Sequence, residues 1–194
     1  MARWRRAERT RLRAARDTMS VAKRQAVSQA LGGHLRRLFA ERFGSAQGRI
    51  CSGYWPIKGE PDLRPLMAGL YETGVTVALP VVDVRAAPLV FRRWTPATRM
   101  VHDDRNIPVP PPDANRLTPE IVLAPVVGWD GDGHRLGYGG GSFDRTLAAL
   151  TPRPFTIGIG FHAARLATIF PQPHDIPLDV ILTETGVEFD REAR

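Results

Sequence analysis

The chain has 194 residues, 43% of them apolar and 24% charged, with a net charge of +7 and a single cysteine. No apolar run approaches the roughly 18 residues that a membrane helix needs, the lone Cys51 rules out an internal disulfide, and no Cys/His cluster has zinc spacing. No apolar signal core follows the basic start, Met1-Ala2-Arg3-Trp4-Arg5-Arg6, so the expectation is one cytoplasmic domain over residues 1–194 with no membrane partner.

Residues 4–16 carry Trp4, Ala7, Leu12 and Ala15 among arginines with no helix breaker, which predicts a helix. Ser20 is placed to N-cap a second helix running to about Phe39, with Val21, Val27, Leu31, Leu35 and Phe39 on one face. Gly32-Gly33 interrupts that pattern, and Gly44 and Gly48 close it. Residues 49–55 read as a first strand ending at Pro56, with Cys51 as a small buried member and Ile57-Lys58-Gly59-Glu60 as the loop that follows. Asp62 is placed to cap a helix from Leu63 to Glu72, stopped by Gly74. Val75 to Val82 is rich in β-branched residues and predicts a strand; Leu89 to Trp94 predicts another, antiparallel to it across a short polar link.

Residues 95–118 are too proline-dense for a helix or a central strand, so an ordered loop or a linker is expected. Strands follow over 121–127, 156–161 and 180–183, with a short helix over 162–169 and a loop over 171–179. Alternating short strands and helices predict a three-layer α/β/α fold with a mostly parallel central sheet, Rossmann-like, with the N-terminal helices packed on it. Ligands of such sheets sit at the carboxyl ends of the strands. The loops at 56–61, 128–144 and 171–179 could converge there.

The charge is uneven. Residues 1–42 hold 12 Lys+Arg against 3 Asp+Glu, while the remaining 152 hold 15 against 17. The N-terminal excess could meet nucleic acid, an acidic protein or an anionic small ligand held elsewhere in the fold.

Seven of the fourteen residues from Gly128 to Gly141 are glycine, between an apolar strand and a helix that includes Thr146 to Leu150. Glycine lets backbone N–H groups turn inward and lets a ligand approach the main chain, and a helix N-terminus behind the loop favours an anion. Arg135, Tyr138 and Asp144 are threaded through the run, which suits a site better than a linker. Residues 128–145 contain no lysine, so this is no Walker loop. The dinucleotide fingerprint fails too, because its third glycine falls on Leu136 or Ser142. What remains is a phosphate site of another kind. Asp144 reads equally as a helix N-cap or as a carboxylate for Mg²⁺, and Asp175 as a turn residue or as a metal or substrate carboxylate.

The run Arg135-Leu136-Gly137-Tyr138-Gly139-Gly140-Gly141-Ser142-Phe143-Asp144-Arg145, after Gly128-Trp129-Asp130 and Gly133, closely resembles the signature of the 5-formyltetrahydrofolate cyclo-ligase (5,10-methenyltetrahydrofolate synthetase) family. Supporting matches are Arg9, Leu12-Arg13, Tyr54-Trp55-Pro56 with Gly59-Glu60, Asn106-Ile107-Pro108, and the segment from His174 to Asp179. The resemblance implies an enzyme that uses ATP and Mg²⁺ to close 5-formyltetrahydrofolate to 5,10-methenyltetrahydrofolate, and a monomer is expected. Arg9 and Arg13 would contact the ATP phosphates. Arg135, Leu136, Gly137, Tyr138, Gly139, Gly140, Gly141, Ser142 and Phe143 would cradle the nucleotide. Trp55, Glu60, Tyr138 and Ser142 would hold the folate, Asp144 and Asp175 the metal, and Arg135 and Asp144 would act in catalysis. The basic block would then face a triphosphate and a polyglutamylated folate.

The family usually has two tyrosines where this chain has Ser142 and Phe143, and often an aromatic where it has Arg105. These departures keep a second reading open, an ATP-dependent relative acting on another pterin or formyl compound. A third, nucleic-acid binding through residues 1–42, has no RNA motif behind it.

Overall fold

The structure is a computed structural model that describes residues 1–193; Arg194 lies outside the described residues. Two helices come first, α1 (Ala2–Asp17) and α2 (Val21–Phe43). Ser20 caps α2 as its position predicts, accepting from the Lys23 amide at 3.2 Å, and Gly44 ends it at φ +62°. The Gly32-Gly33 pair does not interrupt it. Leu31, Leu35, Leu38 and Phe39 bury one continuous stripe across the pair, and that burial outweighs the ~1 kcal/mol each glycine costs in a helix. Val21, expected on that stripe, is exposed.

The face of α1 also differs from expectation. Ala7 and Ala15 point to solvent, while Arg5, Leu12 and Arg16 are buried. The helix meets the core only through Leu12; Arg5 and Arg16 lie over polar loops, where they donate to a carboxylate and a carbonyl.

The sheet follows: β1 (Ile50–Ser52), α3 (Arg64–Glu72), β2 (Thr76–Val81) and β3 (Val90–Trp94). The proline-rich stretch is an ordered loop carrying short strands β4 (Val101–His102), β5 (Pro108–Val109) and β6 (Arg116–Leu117). Then come β7 (Ile121–Pro125), β8 (Gly128–Asp130), β9 (Arg135–Leu136), α4 (Ser142–Ala149) and β10 (Phe155–Ile159). The chain ends with β11 (Arg165–Leu166), β12 (Val180–Thr183) and β13 (Gly186–Asp190). The eight-stranded sheet runs β13-β12-β10-β7-β1-β2-β3-β6. Its five central strands are parallel, and β2–β3, β3–β6 and β12–β13 are antiparallel. This is the mixed α/β architecture with a largely parallel sheet that the alternation predicts.

The helix expected over 162–169 is a single 3-10 turn, His162–Ala164, followed by β11. Arg165 and Leu166 pair with Trp129 and Asp130, completing the open edge of β8, and those ladder bonds override the helical propensity of the two alanines. The glycine run is likewise not one loop. Its first half is the β8–β9 hairpin, with Gly133 at φ +80° in the turn. Only Gly137 to Gly141 form the loop before α4.

From β1 the chain crosses to β2 on one side, whereas β7 lies on the other side of β1 and leads on to β10. Strand order therefore reverses at β1/β7, and the crevice at their carboxyl ends is where an open parallel sheet accepts a ligand.

Candidate active site

The loop after β1 forms one wall. Gly53 is required there, because a Cβ would lie 2.2 Å from Met67 Sδ. The buried Tyr54 donates its hydroxyl to Pro61 O at 2.8 Å. Lys58 and Gly59 turn with positive φ and fold the chain back, so that Glu60 Oε2 accepts from the Ile57 amide at 3.0 Å. Glu60 is thereby held at 7% exposure, with Oε1 accepting from the Tyr138 hydroxyl at 2.8 Å. Burial pushes the Glu60 carboxyl above the ordinary glutamate value, opposed by the Ile57 amide, Tyr138, Arg16 and Lys58. Burial and the neighbouring Glu60 likewise raise the Tyr138 phenol.

The opposite wall begins at β9. Asp130 fixes the hairpin, its Oδ1 accepting from the amides of Asp132 and His134 and its Oδ2 from that of Ile169. Successive strand residues face opposite sides, so Leu136 enters the core and Arg135 enters the crevice. Arg135 donates to Asp144 Oδ1 at 2.8 Å and to Ile176 O at 2.9 Å, with its guanidinium 5.6 Å from the Phe143 ring centroid. Gly139 and Gly141 take positive φ, and Gly141 is the N-terminal cap of α4. Asp144 sits in the first turn of α4 and is not its N-cap. Its Oδ1 is shared by Arg135 and the Ile176 amide, and no protein group donates to its Oδ2 among the described residues.

Helix α1 closes the site with four arginines spaced along one face. Arg5 grips Asp175 with two bonds, 2.6 and 3.3 Å. Arg9 donates to Gly137 O at 2.7 Å. The Arg13 guanidinium lies 5.8 Å from the Tyr138 ring centroid, and Arg16 donates to Val126 O and to the Tyr138 hydroxyl at 2.9 and 3.2 Å. Burial, together with Arg5, lowers the Arg9 guanidinium below the ordinary arginine value. Burial works against the charge of Asp175, but Arg5 and the Gln172 amide hold its carboxyl below the ordinary range.

These walls enclose a cavity of about 290 Å³. It brings together Trp55, Glu60, Arg135, Gly137, Tyr138 and Gly139 with Gly140, Gly141, Ser142, Phe143, Asp144 and Asp175. The loops at 56–61, 128–144 and 171–179 thus converge as their positions suggested. Three expected site residues do not line it: Leu136 is in the core, while Arg9 and Arg13 contact the glycine loop at Gly137 O and the Tyr138 ring. Arg5, Arg105, Ile107, Pro108 and Val109 do line it. The i, i+4 spacing of Arg5, Arg9 and Arg13 was the available sign that Arg5 faces inward.

Among the described residues no group of three or more His, Cys, Asp or Glu side chains could hold a metal ion by itself. Besides Glu60, two carboxylates line the cavity, Asp144 and Asp175, and Asp144 keeps an oxygen free of protein donors. That donor set suits Mg²⁺, which binds through one or two carboxylates with substrate phosphates and waters.

Fold and site together define an α/β enzyme with a cleft, lined by Arg5, Arg135 and the glycine loop, at the topological switch point of its sheet. The profile of the 5-formyltetrahydrofolate cyclo-ligase family matches residues 1–184, and the chain belongs to that family. A 5-formyltetrahydrofolate cyclo-ligase from Mycolicibacterium smegmatis is 31% identical over 182 residues, covering 90% of this chain and 91% of that protein. The one from Haemophilus influenzae is 27% identical over 180 residues, covering 90% and 94%. Among solved structures, the 5,10-methenyltetrahydrofolate synthetase of Aquifex aeolicus superposes with a TM-score of 0.78 at 26% identity, covering 95% of this chain and 91% of that one.

Proposed function

We propose that this protein closes 5-formyltetrahydrofolate to 5,10-methenyltetrahydrofolate with consumption of ATP. Besides family membership, one observation carries the reading: a single cavity sets the Arg135–Gly141 phosphate-type wall against a wall built from Trp55, Ile57 and Glu60. A formyl oxygen on an amide-like nitrogen is a poor leaving group. Its attack on the γ-phosphorus releases ADP and makes phosphate the leaving group; N10 then attacks the formyl carbon, loses its proton, and phosphate departs.

The residues divide that work. Arg135 and the amides of Gly139 to Ser142 face the transferring phosphoryl group as preorganised donors. Arg9 and Arg13 hold the loop in shape. Trp55 offers a ring face to a pterin, and Glu60, pinned by Ile57 and Tyr138, offers an acceptor to its N–H groups. Asp144 Oδ2 is the open oxygen for Mg²⁺, with Asp175 beside the same cavity; the ion would supply charge neutralisation on the phosphates. We further read the protein as a cytoplasmic monomer; no helix among the described residues is long and apolar enough to cross a membrane.

The test is spectrophotometric. Methenyltetrahydrofolate absorbance should grow only when ATP, Mg²⁺ and 5-formyltetrahydrofolate are all present. Binding of ATP with no turnover would instead favour the relative acting on another pterin or formyl compound, a reading supported by Ser142 and Arg105 at the cavity wall. The nucleic-acid reading loses ground, because Arg5, Arg9, Arg13 and Arg16 all turn toward the protein's own groups.

A further inference from the structure

Asp175 is placed at the cavity but is not available there. Arg5 donates to both of its oxygens, and the Gln172 amide donates to Oδ2 at 2.7 Å. The ion pair is nearly dry, the side chains of Arg5 and Asp175 being 11% and 7% exposed. Asp144 is different, since its Oδ2 receives no protein donor. Asp175 and Asp144 are therefore in unlike states, one capped and one open.

The cap itself is also a cavity residue. Arg5 lines the wall, and its buried Nε has no hydrogen-bond partner. Its backbone is anchored independently of the ion pair, because the neighbouring Trp4 packs edge-to-face on Phe170 with ring centroids 4.8 Å apart. The guanidinium can thus leave Asp175 by side-chain rotation alone, while the Gln172 amide keeps the carboxylate oriented. An Arg guanidinium suits carboxylate and phosphate equally well.

We propose that Arg5 occupies the metal's place on Asp175 in the nucleotide-free protein, and transfers to the phosphates of the nucleotide when the metal enters. This rests on the ATP-dependent reading of the cavity. It makes Arg5 a further nucleotide-binding residue, and it makes Asp175 a metal ligand only after an exchange of partners. Without the nucleotide, a divalent cation must displace a bidentate guanidinium, so free metal binds weakly. With it, the displaced guanidinium has a new anion to hold.

The test measures Mn²⁺ binding by electron paramagnetic resonance and calorimetry without nucleotide, and Mg-ATP binding by calorimetry. Arg5→Gln should tighten nucleotide-free Mn²⁺ binding about tenfold, the scale on which groups holding a metal ligand act, and should weaken Mg-ATP binding by a similar factor. Adding Asp175→Asn to Arg5→Gln should abolish the tightening. Arg5→Lys, which keeps the charge but not the bidentate grip, should shift Mn²⁺ affinity the same way by less and serves if Arg5→Gln does not fold. In the wild type, Mg-ATP should shift the Arg5 Nε–H nuclear magnetic resonance signal. Unchanged or weaker Mn²⁺ binding on loss of Arg5, or tightening that survives loss of Asp175, would overturn the proposal. An inactive wild type that shows the Mn²⁺ effect would instead overturn the cyclo-ligase reading.

Discussion

The Tyr138 hydroxyl donates to Glu60 Oε1 at 2.8 Å, and this one bond joins the two walls of the cavity. Glu60 belongs to the loop after β1 and Tyr138 to the glycine loop, 78 residues further along the chain. The same hydroxyl accepts from Arg16 on α1, so three segments meet at one phenol. Lys58 and Arg13 stand 5.2 and 5.8 Å from its ring centroid. The two walls of the cavity are held in register through this group.

Tyr138→Phe should therefore act on both substrates. The ring and its cation contacts remain, but Glu60 loses a donor while still buried. Removing one partner of a buried hydrogen bond costs about 1–3 kcal/mol. Apparent affinity for the folate should fall with a smaller loss for ATP, read from KM values measured with each substrate varied in turn. Equal, unchanged KM values would show that the bond does not couple the walls.

Glu60 also sets a pH dependence of stability. Burial raises its carboxyl in the folded state, so the folded protein favours the protonated form. That contribution is complete below the unfolded glutamate pKa and is lost as pH rises through the folded value; at neutral pH the buried charge is a cost. Glu60→Gln should consequently melt higher than wild type near pH 8, by about 2–4 °C per kcal/mol. The gap should close as pH falls toward the ordinary glutamate range. Activity should drop, because the acceptor proposed for the pterin is weakened. Thermal melts over a pH series check the sign.

The fold was more legible than the site's closure. β2, β7, β10 and β12 announce themselves as β-branched apolar runs, and the order of strands and helices was enough to place a crevice at their carboxyl ends. The β8–β9 hairpin was hidden because its glycines read as loop, while the ladder that defines it involves only Gly128 and Trp129 against Leu136 and Arg135. β11 was hidden because its partner, β8, lies 36 residues earlier in register. In the site, Arg135, Tyr138 and Asp144 follow from the glycine signature. Arg16 did not, since an arginine-rich helix reads as a solvated face until the carbonyls beneath it are known, and for Arg5 the i, i+4 spacing with Arg9 and Arg13 was the one sign.

Asp144 separates structure from chemistry. Arg135 is 5% exposed and relies on Asp144 Oδ1. Asp144→Ala leaves that guanidinium buried without its carboxylate, a loss of about 3–5 kcal/mol for a broken buried pair. Asp144→Asn keeps an acceptor for Arg135 and the Ile176 amide, so its melting temperature should stay much closer to wild type. Turnover should nonetheless fall by about 10²–10³, as for other lost charge-stabilising groups. Full activity in Asp144→Asn would remove the carboxylate from the mechanism.

Two glycines of the run should respond in opposite ways. At Gly133, φ is +80° and an added Cβ would lie 2.4 Å from Phe189 Cε1. Gly133→Ala should destabilise by about 1–3 kcal/mol through strain and overpacking, seen as a lower denaturation midpoint. At Gly140, φ is not positive and the nearest atom to an added Cβ is Ser142 Oγ at 3.7 Å, so Gly140→Ala should fold with near wild-type stability. Its methyl, however, enters the cavity wall proposed to face the phosphates, where close backbone approach would be the reason for glycine. ATP binding should weaken at least tenfold with the melting temperature unchanged. The reverse pattern, a destabilised Gly140→Ala or a benign Gly133→Ala, would mean that the hairpin and the phosphate loop have been assigned to the wrong halves of the glycine run.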